Sequence, residues 1–90
     1  MRGSPTRNDL NASAADFLFI DLGVALTFMD VAATTRVEET MRRNHENARR
    51  AYDTVVRLLR NLDPTAEQRQ MLDERLSALK ARLQAVGQQF

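Results

Sequence analysis

The side chains able to do acid–base or metal chemistry are few and poorly spaced for it. Asp21 and Asp30 stand nine residues apart, which on a helix aims them at opposite sides, and Glu38 and Glu39 are adjacent and face about 100° apart. Neither pair converges on a substrate as a general acid and base must. The single histidine, His45, has no second ligand at the i,i+4 spacing of helical metal sites, so it reads as a packed or capping side chain. Zero cysteines exclude thiolate metal centres and a disulfide framework. The chain is therefore expected not to be an enzyme, and no catalytic, cofactor-binding or metal-binding residue is assigned.

One group of charged residues does repeat. Arg42, Arg49, Arg50, Arg57 and Arg60 fall within about 120° of one helical face, a footprint able to meet phosphates or an acidic partner. Glu46 and Asp53 lie among them, so Arg42–Glu46, Glu46–Arg50, Arg49–Asp53 and Asp53–Arg57 are all i,i+4 pairs, the pattern of a self-neutralised solvated face. No glycine-rich loop accompanies the arginines, and the one nearby aromatic, Tyr52, is on the other side. Nucleic-acid binding through this face is the alternative reading, and nucleic acid is not the favoured partner.

The elements that position these residues follow from composition. Ninety residues make one domain. A hydrophobic share of 43% and a charged share of 28% are those of a chain that folds. Three glycines and two prolines are too few for the turns of an all-β fold. The net charge of +1 implies no polyanionic partner.

Residues 1–12 read as a flexible lead, and Met1-Arg2-Gly3-Ser4 looks like the start of an expression leader. Residues 13–90 form the single helical domain. Helix 1 is expected over about 14–41 with Ser13 as N-cap, helix 2 over about 44–62 with Asn44 at the corner, and helix 3 from Asp63-Pro64 to near Gly87. The fold class is all-α, a three-helix antiparallel bundle or a helical hairpin with a C-terminal capping helix. Leu72, Leu76, Leu79, Leu83 and Val86 give helix 3 a short heptad-like seam, and Met29, Met41 and Met71 read as core fillers.

Helix 1 is the anomaly. Thirteen of the seventeen residues from Phe17 to Ala33 are apolar, and they spread over far more than the usual apolar stripe. Asp21 and Asp30 argue against a membrane span and against a signal peptide, which leaves a cytoplasmic address and no membrane as the expectation. Asp21 sits in the apolar arc, where it is expected to pair with an arginine of another helix or subunit. Two amphipathic helices cover about two sides of helix 1, so apolar surface is left over. A homodimer is the economical solution, with Phe17, Asp21, Phe28 and Met29 as the interface residues. A protein or peptide partner is the second solution.

Phe19, Leu22, Gly23 and Leu26, with Ala48, Tyr52 and Val55 ahead of Asp63-Pro64, resemble the two helices of a tetratricopeptide repeat. The resemblance covers roughly half the chain. It implies a helical hairpin and a protein-binding role rather than catalysis, and it carries over no ligand residues.

Overall fold

Steps of three and four residues between apolar side chains organise the molecule. In the computed structural model the chain forms three helices, α1 (Arg7–Thr34), α2 (Glu38–Leu59) and α3 (Ala66–Ala85). The structure describes the backbone of residues 7–90 and the side chains of residues 13–90, so the leader-like Met1-Arg2-Gly3-Ser4 lies outside the described residues. No strand occurs among the described residues. The all-α three-helix bundle is the observed architecture.

Ala15, Leu18, Leu22, Ala25, Met29 and Ala32 follow one another at alternating spacings of three and four along α1, and all are buried. Ala48, Val55 and Leu59 of α2 and Leu72, Leu79 and Leu83 of α3 meet the first five of them in one core cluster. Helix α1 is the central element. Both other helices pack on it, while α2 and α3 touch one another far less. A short connection returns α2 antiparallel to α1, and α3 then runs parallel to α1. Two hydrogen bonds fix that direction: Arg75 Nη1 donates to the Phe19 carbonyl at 3.0 Å and Arg82 Nη1 donates to the Leu26 carbonyl at 3.3 Å. Both partners advance by seven residues between the two bonds, which only parallel helices allow.

Gly23 explains how the first of these arginines reaches main chain inside a helix. A Cβ at position 23 would collide with Arg75 Nη1. Absence of that carbon opens the Phe19 carbonyl to a second donor, and the guanidinium then lies 3.6 Å above the Phe19 ring. One turn pair further on, Asp30 occupies the place equivalent to Gly23 and takes Arg82 into an ion pair of 2.7 Å.

The helix ends differ from the sequence expectation in identifiable ways. Helix α1 starts at Arg7, so Ser13 lies inside it rather than capping it, and residues 7–12 belong to the helix rather than to a lead. The corner falls at Thr35–Val37, not at Asn44. No glycine or proline marks it; the Thr35 hydroxyl accepts from the Val37 amide at 3.2 Å, and Glu38 and Glu39 sit in the first turn of α2 where the helix dipole favours acids. Asn44 instead lies within α2 and donates its side-chain amide to the Thr40 carbonyl at 2.8 Å.

The cap of α3 is Thr65, two residues past the expected Asp63. Thr65 Oγ1 accepts from the Gln68 amide at 3.1 Å and Gln68 Oε1 accepts from the Thr65 amide at 2.9 Å, a reciprocal capping box. Thr65→Ala is expected to cost about 1 kcal/mol, read as a lowered midpoint in urea unfolding. The end near Gly87 is as expected. Gly87 has φ of +95°, its amide donates to the Gln84 carbonyl at 3.0 Å, and the Gln88 amide donates to the Leu83 carbonyl at 3.1 Å. This pair of bonds is a Schellman motif, and its left-handed residue is the reason a glycine stands there.

Candidate functional site

A second seam runs along α1, on the side turned away from the bundle. Phe17, Ile20, Val24, Thr27, Val31 and Thr34 also alternate spacings of three and four, and every one is exposed. Phe17 is 64% exposed and Ile20 60%, whereas Leu22, two residues past Ile20, is fully buried. On a helix of 3.6 residues per turn the centres of the two seams are about 160–200° apart, so α1 carries one apolar face inward and another outward. This is the physical content of an apolar arc too wide for one stripe.

The four residues expected at an interface separate accordingly. Phe17 lies on the outward seam. Phe28 and Asp21 are half-buried at its margin. Met29 is only 3% exposed and belongs to the core, because it follows Ala25 by four residues on the inward seam. Ile20, Val24 and Val31 replace it on the outer face, and their spacing from Phe17 was the signal that identifies them. Asp21 makes no ion pair among the described residues; the carboxylate of α1 that is held by an arginine is Asp30. Leu18 is 3% exposed and lies on the inward seam, while Val86, placed at the end of the α3 seam, is 47% exposed beyond the last helical turn.

By length and a mean hydropathy of 1.7, Ser13–Thr34 is long and apolar enough to cross a membrane, with 28% of that stretch buried in the bundle. Core helices of soluble proteins reach the same length and hydropathy. The inward seam packed on α2 and α3 accounts for part of the apolar content; the outward seam is the part left without a covering.

The five arginines expected on one face, four in α2 and Arg60 at its C-cap, do not form one patch. Arg49, Arg50 and Arg57 border a shallow cleft of about 480 Å³ together with Glu46, Asp53 and Gln88. Arg42 lies apart, beside Glu38 and Glu39, and Arg60 faces Arg69 near Val56 and Leu76. Of the four expected i,i+4 pairs, Arg49–Asp53 forms, at 3.1 Å, and Arg43–Glu39 at 3.3 Å is an additional one. His45 lines a different depression, with Met29, Met41 and Arg82 at the end of the bundle. Among the described residues no three metal-ligating side chains gather into a group.

Sequence reasoning missed what Arg49 does. After the Schellman turn the chain folds back over α2, and Arg49 Nη1 donates to the Gln89 carbonyl at 2.8 Å and to Gln88 Oε1 at 3.1 Å. Its guanidinium lies 3.9 Å from the centre of the Phe90 ring, which also meets Tyr52 edge-on at 5.0 Å and Lys80 at 5.3 Å. Residues 88–90 thus tie α2 to α3 where the two helices have little other contact. A lone aromatic just past a helix-ending glycine was the available signal. Phe90→Ala and Arg49→Ala are each expected to cost about 0.5–1.5 kcal/mol, with the double variant costing less than the sum, as a double-mutant cycle of urea midpoints will report.

Fold and surface define a three-helix bundle whose central helix presents an uncovered apolar seam. Comparisons with protein-family models, with curated proteins and with solved structures give no match.

Proposed function

We propose that the chain is a small non-enzymatic assembly module that pairs with a second copy of itself through the outward seam of α1. The observation that carries this reading is the exposure of Phe17, Ile20, Val24 and Val31 in heptad spacing on one helix. These side chains make an apolar patch on the order of 400 Å², within the range of the largest patch on a typical monomer, which is often a functional one. Scattered surface leucines would carry no such meaning, but a seam that keeps alternating steps of three and four from Phe17 to Thr34 has the form of a helix–helix contact. The resemblance of α1 and α2 to a tetratricopeptide hairpin supports a protein-binding role in general terms.

The Arg-rich face of α2 gives less support to the nucleic-acid alternative. Glu46 and Asp53 share the cleft with its arginines, and Arg49 is committed to Asp53 and to the C-terminal residues. Sedimentation equilibrium across the micromolar range tests the proposal. A reversible monomer–dimer equilibrium is the expected result, and a chain that stays monomeric at several hundred micromolar overturns it.

A further inference from the structure

Charge along the margins of the outward seam is arranged for one relative direction of two helices. With Phe17, Val24 and Val31 as a positions and Ile20, Thr27 and Thr34 as d positions, Asp16, Gly23 and Asp30 fall at g, and Asp21, Phe28 and Thr35 fall at e. In a parallel pair each g residue faces the e residue of the following heptad on the other helix, so Asp16 would meet Asp21 on both sides of the two-fold axis. In an antiparallel pair g faces g and e faces e. Asp21 then lies against Phe28 of the second copy, and Asp16 falls opposite position 37, past the end of the second copy's α1. The Gly23 position, across which Arg75 is seated, comes opposite Asp30 of the second copy. Asp30 remains 69% exposed on its side chain despite its bond to Arg82, so its carboxylate is free to accept a second donor.

We infer that two copies pair antiparallel along α1, with Ile20 packed on Val31 and Val24 on Thr27 across the axis, and with Arg75 of each copy facing Asp30 of the other. This rests on the assembly reading above and adds its geometry. The strip is self-complementary in this direction alone, which is what a closed two-fold interface demands. A lipid surface fits the same strip poorly. Helices that lie on membranes carry Lys and Arg beside their apolar face, whereas this seam is flanked by Asp16 and Asp21. From Phe17 to Thr34 the layers span about 26 Å. Two copies of the exposed patch bring together about 800 Å² of apolar surface before flanking side chains are counted, below the roughly 1,200 Å² at which standard interfaces begin, as for a weak, reversible pair.

Because the chain has no cysteine, single cysteines report the direction without interference. Ile20→Cys and Val31→Cys are made separately, each is first checked for wild-type sedimentation behaviour, and each is oxidised alone and in an equimolar mixture. In the antiparallel pair two copies of position 20 are about 16 Å apart along the axis, beyond the ~7 Å between Cα atoms that a disulfide can bridge. Neither variant alone is therefore expected to cross-link, while the mixture yields a covalent dimer holding one chain of each. Rapid cross-linking of Ile20→Cys with itself overturns the antiparallel direction and leaves the assembly reading standing. A dimer that cross-links in none of the three samples places its interface elsewhere and overturns the inference. A chain that sediments as a monomer, or that floats with neutral phosphatidylcholine vesicles as a monomer, overturns the assembly reading itself.

Discussion

Leu22→Ala is expected to lower the unfolding free energy by about 3–4 kcal/mol, the largest loss from any single truncation in the molecule. Leu22 is fully buried in the centre of α1, where the core residues of α2 and α3 both reach the central helix. Removing its side chain forfeits the transfer energy of three carbons and leaves a cavity that three separate helices would have to close together. Two of them, α2 and α3, have little contact of their own through which to follow the collapse. A ninety-residue domain commonly has about 5–13 kcal/mol of stability, so the loss is a large part of the total. Urea unfolding followed by circular dichroism should show the midpoint falling steeply with the slope unchanged. A loss under 1 kcal/mol would mean that the core of the folded chain is not centred on α1.

Ile20→Glu, two residues away, is expected to do the reverse. Ile20 is 60% exposed and touches the core little, so the stability of a single copy should stay within about 0.5 kcal/mol of wild type. Its effect falls on association. Each dimer would bury two glutamates in an apolar layer against Val31, close to the acids already present at positions 16 and 21, and every buried unpaired carboxylate is costly. Association is expected to weaken by at least about 100-fold, enough to make the protein monomeric at tens of micromolar in sedimentation. The contrast between the two variants separates the seams: one change lowers the stability of the folded chain without touching the pairing surface, the other abolishes pairing without unfolding. Should Ile20→Glu dimerise as wild type does, the outward seam is not the contact.

The two seams also show how far the sequence could be read. Each alternates three and four, and the offset between Leu18 and Phe17 or between Leu22 and Ile20 is only one or two residues. A pattern count over the whole helix adds both together and returns an arc with no direction. Which seam faces inward is decided by α2 and α3, whose single stripes at Val55, Leu59, Leu72 and Leu79 can cover one side only. Helix number and class were therefore legible from composition and periodicity, whereas the side of α1 on which Met29 lies was not: the sequence offered it both as a core filler and as an interface residue, and the structure buries it. The misplaced corner has a different origin. Thr34-Thr35-Arg36-Val37 contains none of the residues that usually mark turns, and the helix stops there through side-chain hydroxyls bonding to backbone, a competition that β-branched threonines win only locally. Asn44 offered turn chemistry that α2 did not need.

Local rules performed best where the signal was a single atom's absence or presence. Gly87 ends α3 as its position suggested, because its φ is positive, whereas the cap expected at Asp63 is Thr65, paired with Gln68 in a motif four residues long. Long-range charge was the least legible. Nothing in the spacing of Arg75 or Arg82 says that each will bond a carbonyl 56 residues earlier rather than a neighbouring carboxylate.

That separation of 56 residues sets the order in which the molecule can come together. Helices α1 and α2 are joined by three residues, so their pairing closes a very short loop and carries little entropic cost. Docking of α3 must close a loop that holds all of α2, and it gains little from α2 on arrival. The hairpin is therefore expected to form ahead of the docking of α3, with the Phe19 carbonyl still open to water along the side of α1 that α3 will cover. Until Leu72, Leu79 and Leu83 settle there, α1 exposes apolar surface on two sides at once, and the chain is at its most adhesive in the interval before its last helix lands.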